Sequence, residues 1–547
     1  MRPDGIEGRH GSFFAVRFPA RELAASLLCA WSIFAIGPII ADAHAVANWR
    51  FAGHDISDSR TQPLETLITT ANVGSLAPKW VFATHGNVSA TPTVAGGVVY
   101  FPDSGGYLNA VDAKTGKLVW QQQIAAYDGA SGSRSRDSPA IYGQRIIVGD
   151  NSPKAGGARV LAVSRGTGKL LWNTQVDSHP AAIITGNPVV VGEKVIIGVS
   201  SGEEGLAENS TYPCCTFRGS VVALNGKTGQ ILWKTYTVPP NNGPCTSSNP
   251  PKGCGYSGGA VWDTPAVNST ANAVYVGTGN NYTTPDQATA CEKEAGELGT
   301  SDASCTAPND YFDSALALDL NTGAIKWGRK VEGWDAWNLA CKTKGTGATW
   351  CPSAESPDFD FGGAGPNLLK VKGKKLVGIG QKSGVYWALD PASGNVVWSR
   401  LVGPGTGEGG IQWGTAYDGK RIYVPIADPP PYSVPYTLAN GENDSGGSWA
   451  ALDPPTGNFD WQVATPGDAP ALGPASEADG VVFVGDMAPA QANMFALEAA
   501  TGRQLWSFAA EGVVNASPAI VEGIVYWGSG YHGGPSQKLY AFSLGGQ

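Results

Sequence analysis

The sequence predicts an all-β protein, an eight-bladed β-propeller, and three observations support this prediction. An apolar run, then Thr-Gly or Ser-Gly, then a Trp recurs seven times along the chain, as in residues 108–120. Further strand signals precede most copies, such as residues 90–94 followed by 97–101. With 74 glycines among 547 residues and 15% charged residues, the composition is typical of a turn-rich β protein and not of a disordered one. Units of four short strands that recur in this way are typical of propeller blades.

Each copy of the repeat predicts two strands joined by a tight turn. The first strand alternates small and apolar residues, as at 316–320, and the turn glycine can adopt the positive φ that such turns need. We expect the Trp that ends the second strand to be a wedge between neighbouring blades, packed closely because the turn residue is glycine. The turn glycines are Gly116, Gly168, Gly229, Gly323, Gly394, Gly457 and Gly502, and the tryptophans are Trp120, Trp172, Trp233, Trp327, Trp398, Trp461 and Trp506.

The number of blades follows from the two ends of the repeat region. The last unit, residues 517–544, lacks a closing strand, and residues 76–82 form a strand around Trp80 that has no preceding partner. If these two segments complete one blade, the ring has eight blades and no open sheet edge. We therefore expect one domain over residues 46–547. The copies lie roughly 45 to 95 residues apart, so long loops are inserted into blades of about 40–50 residues.

The N-terminal residues 1–45 are typical of a secretory signal peptide. Arg17 and Arg21 precede the apolar stretch 23–41, and residues 43–45 offer a cleavage site. An uncleaved membrane anchor is the alternative interpretation of this stretch. No segment after it is apolar enough over a sufficient length to span a membrane. We therefore expect a periplasmic or secreted protein.

The cysteines indicate an oxidising compartment. Cys29 lies in the signal segment, and the other eight form neighbouring pairs inside the long insertions, where a disulfide would order a loop. These pairs are Cys214 with Cys215, Cys245 with Cys254, Cys291 with Cys305, and Cys341 with Cys351. For the adjacent pair, two free thiols are the alternative. The sequence contains no Cys-x-x-Cys-His haem motif, zinc-type spacing, phosphate loop or nucleophile elbow.

Several segments resemble the pyrroloquinoline quinone (PQQ) dependent alcohol dehydrogenases. They are residues 48–55, residues 72–80 and the Thr-Gly-x-x-x-Trp repeats. Within that family, residues 214–219 and 334–338 are most similar to the polyvinyl alcohol dehydrogenases. The resemblance covers essentially all of residues 46–547. Non-catalytic propellers share the repeats, among them an assembly lipoprotein of the bacterial outer membrane, so a binding or assembly propeller is the alternative function.

The resemblance implies a PQQ site with an aromatic floor and polar partners for the three cofactor carboxylates. In the family the floor is a Trp before a strand that ends Gly-x-Gly-Asn, and Trp262 precedes residues 277–280 in this way. Ordinary core packing is the alternative role of this Trp. Lys382 would donate to the quinone oxygens and stabilise the charge that develops there. Further matches to cofactor contacts are Arg136, with Arg134 close behind, Thr185, one of Ser200 and Ser201, Trp413, and the vicinal pair Cys214–Cys215, which lies about one blade later than in many members.

The resemblance also implies a hard metal ion beside the quinone, with Ca²⁺ as the first expectation. Asn280 would contribute its side-chain oxygen. The second family ligand is a Glu after Ser-Gly, and both Glu203 and Glu204 match, while two solvated loop carboxylates are the alternative. Asp358 and Asp360 have the Asp-x-Asp spacing that is also found in lanthanide-dependent members, so a lanthanide is possible.

The catalytic base is where the sequence departs from the family pattern. The family has a His-Asp-x-Trp-Asp-x-Asp stretch, whose Asp after the Trp removes the alcohol proton. Residues 334–337 match its first half, but Asn338 follows. A cysteine-bracketed insertion then precedes residues 357–361, which resemble the second half and make Asp358 the base. Otherwise Asp335 is the base, or Asn338 occupies the site and activity is lost because an amide cannot accept the proton.

The resemblance therefore implies an enzyme that oxidises alcohol groups to carbonyls, with polyvinyl alcohol or other secondary alcohols as substrates. Electrons would pass to a separate cytochrome c, since this chain has no haem motif, and the net charge of −9 would suit a basic partner and not nucleic acid. A quinoprotein acting on sugars or amines is a further option. The insertions at 239–255 and 285–308 are expected to set the width of the substrate funnel.

Overall fold

The structure is a computed structural model that describes residues 47–248, 251–297, 303–342, 350–353, 356–361, 363–489, 491–534 and 536–547. The predicted signal segment lies outside the described residues. Residues Ala47–Gln547 form one compact unit. Its described strands form eight antiparallel sheets of at least four strands, which confirms the predicted eight-bladed propeller.

Blades 1 to 4 follow one another along the chain, and within each the four strands pair in sequence order. Their strands are Thr93–Ala95, Val98–Pro102, Tyr107–Asp112 and Leu118–Gln123 in blade 1; Ala140–Tyr142, Arg145–Gly149, Arg159–Ser164 and Leu170–Gln175 in blade 2; Val189–Val191, Lys194–Ser201, Ser220–Asn225 and Ile231–Tyr236 in blade 3; and Ala266–Asn268, Ala273–Gly277, Ser314–Asp319 and Ile325–Lys330 in blade 4. In blade 3 the additional strand Ala182–Ile183 pairs with the end of the second strand.

Blades 5 to 8 repeat this order. Their strands are Asn367–Val371, Lys374–Gly380, Val385–Leu389 and Val396–Leu401 in blade 5; Ala416–Tyr417, Ile422–Ile426, Ser448–Leu452 and Phe459–Ala464 in blade 6; Ser476–Ala478, Val481–Gly485, Met494–Glu498 and Gln504–Phe508 in blade 7; and Ala519–Val521, Ile524–Ser529, Lys538–Leu544 and Leu76–Ala83 in blade 8. Leu76–Ala83 pairs antiparallel with Lys538–Leu544, so the two ends of the repeat region complete one blade as predicted.

Helices and small two-stranded sheets lie in the connections. The α-helices are Ala125–Asp128, Glu203–Leu206 and Asp286–Glu297, and the 3₁₀ helices are Val73–Ser75, Pro153–Ala155, Ala303–Cys305, Leu339–Lys342 and Pro466–Asp468. The two-stranded sheets pair Ser257–Gly258 with Asn281–Thr283 and Tyr436–Thr437 with Asn443–Asp444. None of the helices in the described part of the chain is both long and apolar enough to cross a membrane.

The recurring Trp is the wedge between blades that the sequence predicts. A β-carbon at Gly116 would lie 2.6 Å from the ring of Trp80, which belongs to the preceding blade, so this turn residue must be glycine. The other six turn glycines meet the Trp of the preceding blade in the same way. All eight indole N–H groups, including that of Trp506 to Leu76, donate to a backbone oxygen of the next blade.

The hydrophobic core lies between neighbouring blades. In one such layer Ile196 and Val221 of blade 3 pack with Val274 and Leu316 of blade 4. The first three strands are mostly buried, whereas the fourth is half exposed, as in Leu118–Gln123. A single blade could not bury both faces, so the ring is stabilised by contacts of each sheet with its two neighbours.

Residues 49–62 form a strap that contacts the first strand of seven blades. Its hydrogen bonds join Trp49 to Val94, Arg50 to Ile141, Ile56 to Val267, Ser57 to Leu368, Ser59 to Tyr417, Arg60 and Gln62 to Glu477, and the Gln62 side chain to Ile520. One short segment can meet all these strands only if they surround a common axis. The first strand of each blade is therefore the innermost one.

Candidate active site

A cavity of about 830 Å³ lies at one end of the propeller axis. Its lining follows the repeat. In one set, each residue lies four positions before the first strand of its blade, and the members are Arg136, Thr185, Trp262, Gln412 and Leu472. In a second set, each residue lies two or three positions after the second strand of a blade. Its members are Asn151, Glu204, Asn280, Lys382, Pro429, Met487 and Tyr531. The cavity is thus at the end where first strands begin and second strands finish.

Most of the site residues predicted from the sequence line this cavity. They are Arg136, Thr185, Ser200, Ser201, Glu204, Trp262, Asn280, Asp360, Lys382 and Trp413. Five predicted residues do not line it, namely Glu203, Cys214, Cys215, Asp335 and Asp358. The two insertions at 239–255 and 285–308, expected to set the funnel width, contribute no lining residue within the described part of the chain.

Three aromatic rings and one guanidinium group contact one another in the cavity. The Trp262 and Trp413 ring centroids are 4.9 Å apart in an edge-to-face arrangement. The Arg136 guanidinium lies 4.6 Å from the Trp413 centroid and 5.4 Å from the Tyr531 centroid, and it donates to the Tyr531 hydroxyl at 3.2 Å. Gly363 lies so close to Trp262 that a β-carbon there would overlap the indole ring. This group of side chains therefore has a defined geometry, with one cation held between two aromatic faces.

Lys382 is the electrostatic centre of the site. Its Nζ lies 3.0 Å from Asp358 Oδ1, 2.8 Å from Asp360 Oδ2 and 5.6 Å from the Trp262 centroid. Burial alone would lower the pKa of Lys382, but Asp358, Asp360 and Glu204 outweigh it and hold that pKa well above its usual value. The ammonium group therefore keeps its charge throughout the physiological pH range.

The two aspartates around Lys382 have different surroundings. Burial raises the pKa of Asp358 well above its usual value, and the Lys382 ammonium opposes this shift. Asp358 has a left-handed φ of 59°, and its Oδ2 faces the cavity-lining residue Gly407. Asp360 lines the cavity itself, and its Oδ1 accepts the backbone N–H of Asn280 at 2.6 Å. Asp358 thus lies next to Gly407 and outside the cavity lining, while Asp360 is fixed beside Asn280.

Glu203 and Glu204 are adjacent in sequence but have different environments. Glu203 is fully buried, and its carboxylate accepts the Tyr212 hydroxyl and the N–H groups of Thr216 and Phe217. Glu204 lines the cavity, and burial raises its pKa to about 7. The Glu203 carboxylate is therefore occupied by internal hydrogen bonds, and only Glu204 of the two lines the cavity.

The side chains of Asp335 and Asn338 are likewise occupied by internal hydrogen bonds. Asp335 is fully buried and accepts hydrogen bonds at 2.6 Å from the Ser356 hydroxyl and the Phe359 N–H. The Asn338 amide donates to the backbone oxygens of Tyr282 and Trp350. Asp335 thus holds the segment that contains Asp358 and Asp360, whereas Asn338 joins the backbone at Tyr282 to that at Trp350, and neither side chain lines the cavity.

The structure confirms the four predicted disulfides. The vicinal pair Cys214–Cys215 is fully buried and belongs to the same apolar cluster as Phe217 and Tyr282. Tyr282 lines the cavity, but the two cysteines do not. The vicinal disulfide therefore stands behind the cavity wall in this structure.

A hard metal ion would find oxygen donors near Lys382. Glu204, Asp360 and Asn280 line the cavity, and together with Asp358 they place three carboxyl groups and one amide around a single ammonium group. Among the described residues, no three His, Cys, Asp or Glu side chains are grouped closely enough to hold a metal by themselves. A metal here would therefore need the Asn280 amide and ligands from a bound cofactor to complete its shell.

Sequence reasoning missed several lining residues. They are Asn151, Tyr282, Pro429, Pro430, Leu472, Met487 and Tyr531. A signal for most of them was present, since they occupy the same two repeat positions as the predicted residues. The resemblance named only positions that contact the cofactor, so the rest of the lining remained unassigned.

Known proteins match the chain at the level of family and fold. A protein-family model described as outer membrane protein assembly factor BamB matches residues 70–211 and 445–543, less than half of the chain. The polyvinylalcohol dehydrogenase of Sphingopyxis sp. (strain 113P3) is 31% identical over 93% of this chain and 78% of its own. The polyvinylalcohol dehydrogenase of Pseudomonas sp. is 31% identical over 91% of this chain and 77% of its own. The quinohemoprotein alcohol dehydrogenase ADH IIB of Pseudomonas putida is 26% identical over 88% of this chain and 73% of its own.

Solved structures agree on the fold. The quinohemoprotein alcohol dehydrogenase ADHIIG of Pseudomonas putida HK5 superposes with a TM-score of 0.67 at 20% identity, over 92% of this chain and 81% of that one. A europium-containing methanol dehydrogenase superposes with a TM-score of 0.62 at 18% identity, over 91% and 98%. The non-catalytic alternative is not favoured, because the two relatives that are 31% identical over more than three quarters of both chains are polyvinylalcohol dehydrogenases. The chain belongs to the family of PQQ-dependent, or quinoprotein, alcohol dehydrogenases.

Proposed function

We propose that this chain oxidises alcohol groups to carbonyls in the axial cavity, with PQQ and a metal ion as cofactors. The observation that carries the proposal is Lys382 between Asp358 and Asp360, beside the Trp262 ring. A buried ammonium with two carboxylates and an aromatic face is costly to assemble, and a scaffold protein has no use for it. Polyvinyl alcohol and other secondary alcohols are the proposed substrates.

The residues of the cavity fit PQQ. Its volume of about 830 Å³ is within the range of small-molecule sites. Arg136, Asn151, Thr185 and Ser200 line one part of it and are suitable partners for carboxylates. Trp262 and Trp413 offer flat rings at the same place. When bound, PQQ supplies a quinone that accepts two electrons from the alcohol.

The metal donors proposed are Glu204, Asn280 and Asp360. Their oxygens are hard ligands, which favours Ca²⁺ or a lanthanide over softer metals. We propose Ca²⁺, and the Asp358-x-Asp360 spacing makes a lanthanide the second candidate. Loading the protein with Ca²⁺ or La³⁺ and comparing alcohol turnover distinguishes the two.

The side chains have separate roles in the proposed reaction. Asp358 is the base, and its Oδ2, on the side of Gly407, receives the hydroxyl proton. Lys382 Nζ favours the ionised form of Asp358 and so opposes the effect of burial, and it would donate to the oxygens of a bound cofactor. Asp335 holds the backbone of this segment through the Phe359 N–H, so it positions the base without being one.

The electron acceptor and the compartment complete the proposal. We propose a separate cytochrome c, since this chain has no haem motif and its net charge of −9 attracts a basic partner. The four disulfides support an oxidising compartment, and we propose the periplasm. Cell fractionation tests the location. Reduction of purified cytochrome c by the loaded enzyme and alcohol, without an added dye, tests the acceptor.

The central experiment is reconstitution of the purified protein with PQQ and Ca²⁺. Equilibrium dialysis should detect about one PQQ per chain, and 2-propanol or polyvinyl alcohol should reduce an artificial dye. A protein that retains no PQQ and reduces no dye with any alcohol would refute the proposed function. If the enzyme oxidises glucose or primary amines but no alcohol, the proposed substrate is wrong and the protein is a quinoprotein that acts on sugars or amines.

A further inference from the structure

A second, much smaller space adjoins the active-site cavity. Its volume is about 30 Å³, and Arg136, Thr185 and Trp413 line both spaces. Several of its other lining residues lie two or four positions before the first strand of their blade, namely Thr91, Ser138, Asn187 and Asn515. Because the first strands are the innermost ones, this space lies at the propeller axis. It is called the axial chamber below.

The strap contributes Arg60 to the axial chamber. This residue is only 2% exposed, and its guanidinium lies so close to Gly414 that a β-carbon there would be 2.7 Å from Arg60 Nε. One terminal nitrogen donates to the Ala52 oxygen at 3.5 Å, whereas Nε has no hydrogen-bond partner among the described residues. The chamber is therefore lined by a buried, tightly packed cation with an unused donor.

The axial chamber has an excess of positive charge. Arg60 and Arg136 both line it, and no Asp or Glu does so within the part of the chain that the structure describes. Asp58 Oδ1 lies 3.6 Å from Arg60 Nε, but burial raises the pKa of Asp58 to about 7 although Arg60 opposes this shift. At neutral pH Asp58 therefore compensates Arg60 only in part. Two guanidinium groups at one small buried space are unfavourable unless a negative charge lies between them.

We propose that the axial chamber binds one small monovalent anion, of the size of chloride, between Arg60 and Arg136. A space of this volume holds one or two water molecules, so a halide fits and sulfate or phosphate is too large. The Ser138 hydroxyl and the Asn515 amide line the same space and can donate to an anion. Asn515 Oδ1 has no hydrogen-bond partner among the described residues, so no such bond prevents this amide from turning its NH2 group inward. The inference does not depend on the proposed reaction.

Water is the alternative occupant, and the charges favour the anion. A water molecule could accept a hydrogen bond from Arg60 Nε, but it would leave the charge of the two guanidinium groups uncompensated. An anion satisfies the donor and the charge together, because hydrogen bonds from a guanidinium to an anion are stronger than those to a neutral acceptor. A metal cation is excluded as the occupant, since both charged residues that line the chamber are positive.

The test uses bromide as the probe, because bromide can be located by its anomalous X-ray scattering. Crystals of the whole chain, grown without halide and then soaked in sodium bromide, should show one anomalous peak between Arg60 and Arg136. The peak should be present both without cofactor and after loading with PQQ and Ca²⁺. In solution, bromide should raise Tm relative to gluconate at equal ionic strength, by about 2 °C for each tenfold increase above its Kd.

Two variants remove the site in different ways. Ala90→Val narrows the chamber and changes no charge, because Ala90 is one of the lining residues. Arg60→Met combined with Asp58→Asn removes the ion pair as a unit, so that no buried charge is left without its partner. Both variants should lose the bromide peak and the bromide effect on Tm. The matched control Arg503→Met removes a guanidinium from an exposed ion pair and should keep both.

Each outcome supports or overturns the anion site. A chamber that contains water and gives no bromide signal overturns the inference. Bromide peaks on the molecular surface alone, or a chamber peak that persists in Ala90→Val, mean an adventitious ion only and overturn it as well. A cofactor carboxylate found inside the chamber of the PQQ-loaded protein would have the same consequence. A protein that binds bromide in the chamber but retains no PQQ would refute the proposed function and leave this inference intact.

Discussion

The two sides of the cavity occupy the same positions of the repeat and have opposite chemistry. Two residues after the second strand, blade 5 has Lys382 and blade 7 has Met487. Four residues before the first strand, blade 4 has Trp262 and blade 7 has Leu472. The repeat therefore determines where a side chain points, and residue identity at that position determines what it can bind. The proposed cofactor partners lie on the polar side, and the following predictions concern the polar side first and the apolar side last.

The largest effect is expected from the proposed base on the polar side. Asp358→Asn should lower kcat by about 10³-fold, because an amide cannot accept the hydroxyl proton. The matched variant Asp335→Asn loses part of the support for the Phe359 N–H and should lower kcat by at most about tenfold. Dye-linked turnover of both loaded variants checks this pair. If Asp335→Asn is the more damaged of the two, the assignment of the base is reversed.

Substitution of Lys382 tests whether the polar side of the cavity acts through charge and not through packing. Lys382→Met should lower kcat by about 10²-fold, as expected for loss of one charge-stabilising donor. The same substitution should tighten Ca²⁺ binding, because Asp358 and Asp360 lose their ammonium partner. Lys227→Met, which removes an exposed lysine from a surface ion pair, is the control and should change neither quantity. Calcium titration and turnover measure the two effects. Weaker Ca²⁺ binding in the Lys382 variant would contradict the charge argument.

Arg136 tests the cofactor side without involving the base. Arg136→Met should raise the Kd for PQQ by about 10- to 100-fold, since a charge-assisted hydrogen bond is lost. Tyr531→Phe keeps the ring beside the guanidinium and removes only the hydroxyl that accepts its hydrogen bond, so a smaller change is expected. Equilibrium dialysis with PQQ measures both. Equal losses in the two variants would mean that Tyr531 itself binds the cofactor.

The smallest effect concerns stability beside Met487, one of the apolar residues that line the cavity. Burial raises the pKa of Asp486, the neighbour of Met487, to about 7, and its Oδ2 has no hydrogen-bond partner among the described residues. The unfolded chain loses this proton near pH 4 and the folded chain only near pH 7, so stability falls as the pH rises through this window. Asp486→Asn should therefore raise the free energy of unfolding at pH 8 by on the order of 2 kcal/mol. Little change is expected at pH 4. Denaturant unfolding at both pH values checks the difference, and an equal gain at both would exclude the ionisation as its cause.

Much of the site could be predicted because the matched motifs are short and continuous. Trp262 with residues 277–280, and Lys382 with its Gly-x-Lys-Ser-Gly turn, could be placed from local patterns. Glu203 and Glu204 could not be distinguished, because neighbouring residues on a short helix point in different directions. Only the contacts of Glu203 with Thr216 and Phe217 show that its carboxylate is already used.

The scaffold could be predicted from local sequence patterns. The eight wedges, the closing strand around Trp80 and the four disulfides arise from local spacing, since a Trp and a turn glycine at fixed positions can pack in one way only. Which residues meet at the axis could be seen only in the folded ring. Glu204, Asn280 and Lys382 come from loops of blades 3, 4 and 5, and the distances between them depend on how the blades pack around the axis. The sequence pattern of a single blade contains no information about that closure, whereas packing around the common axis determines it.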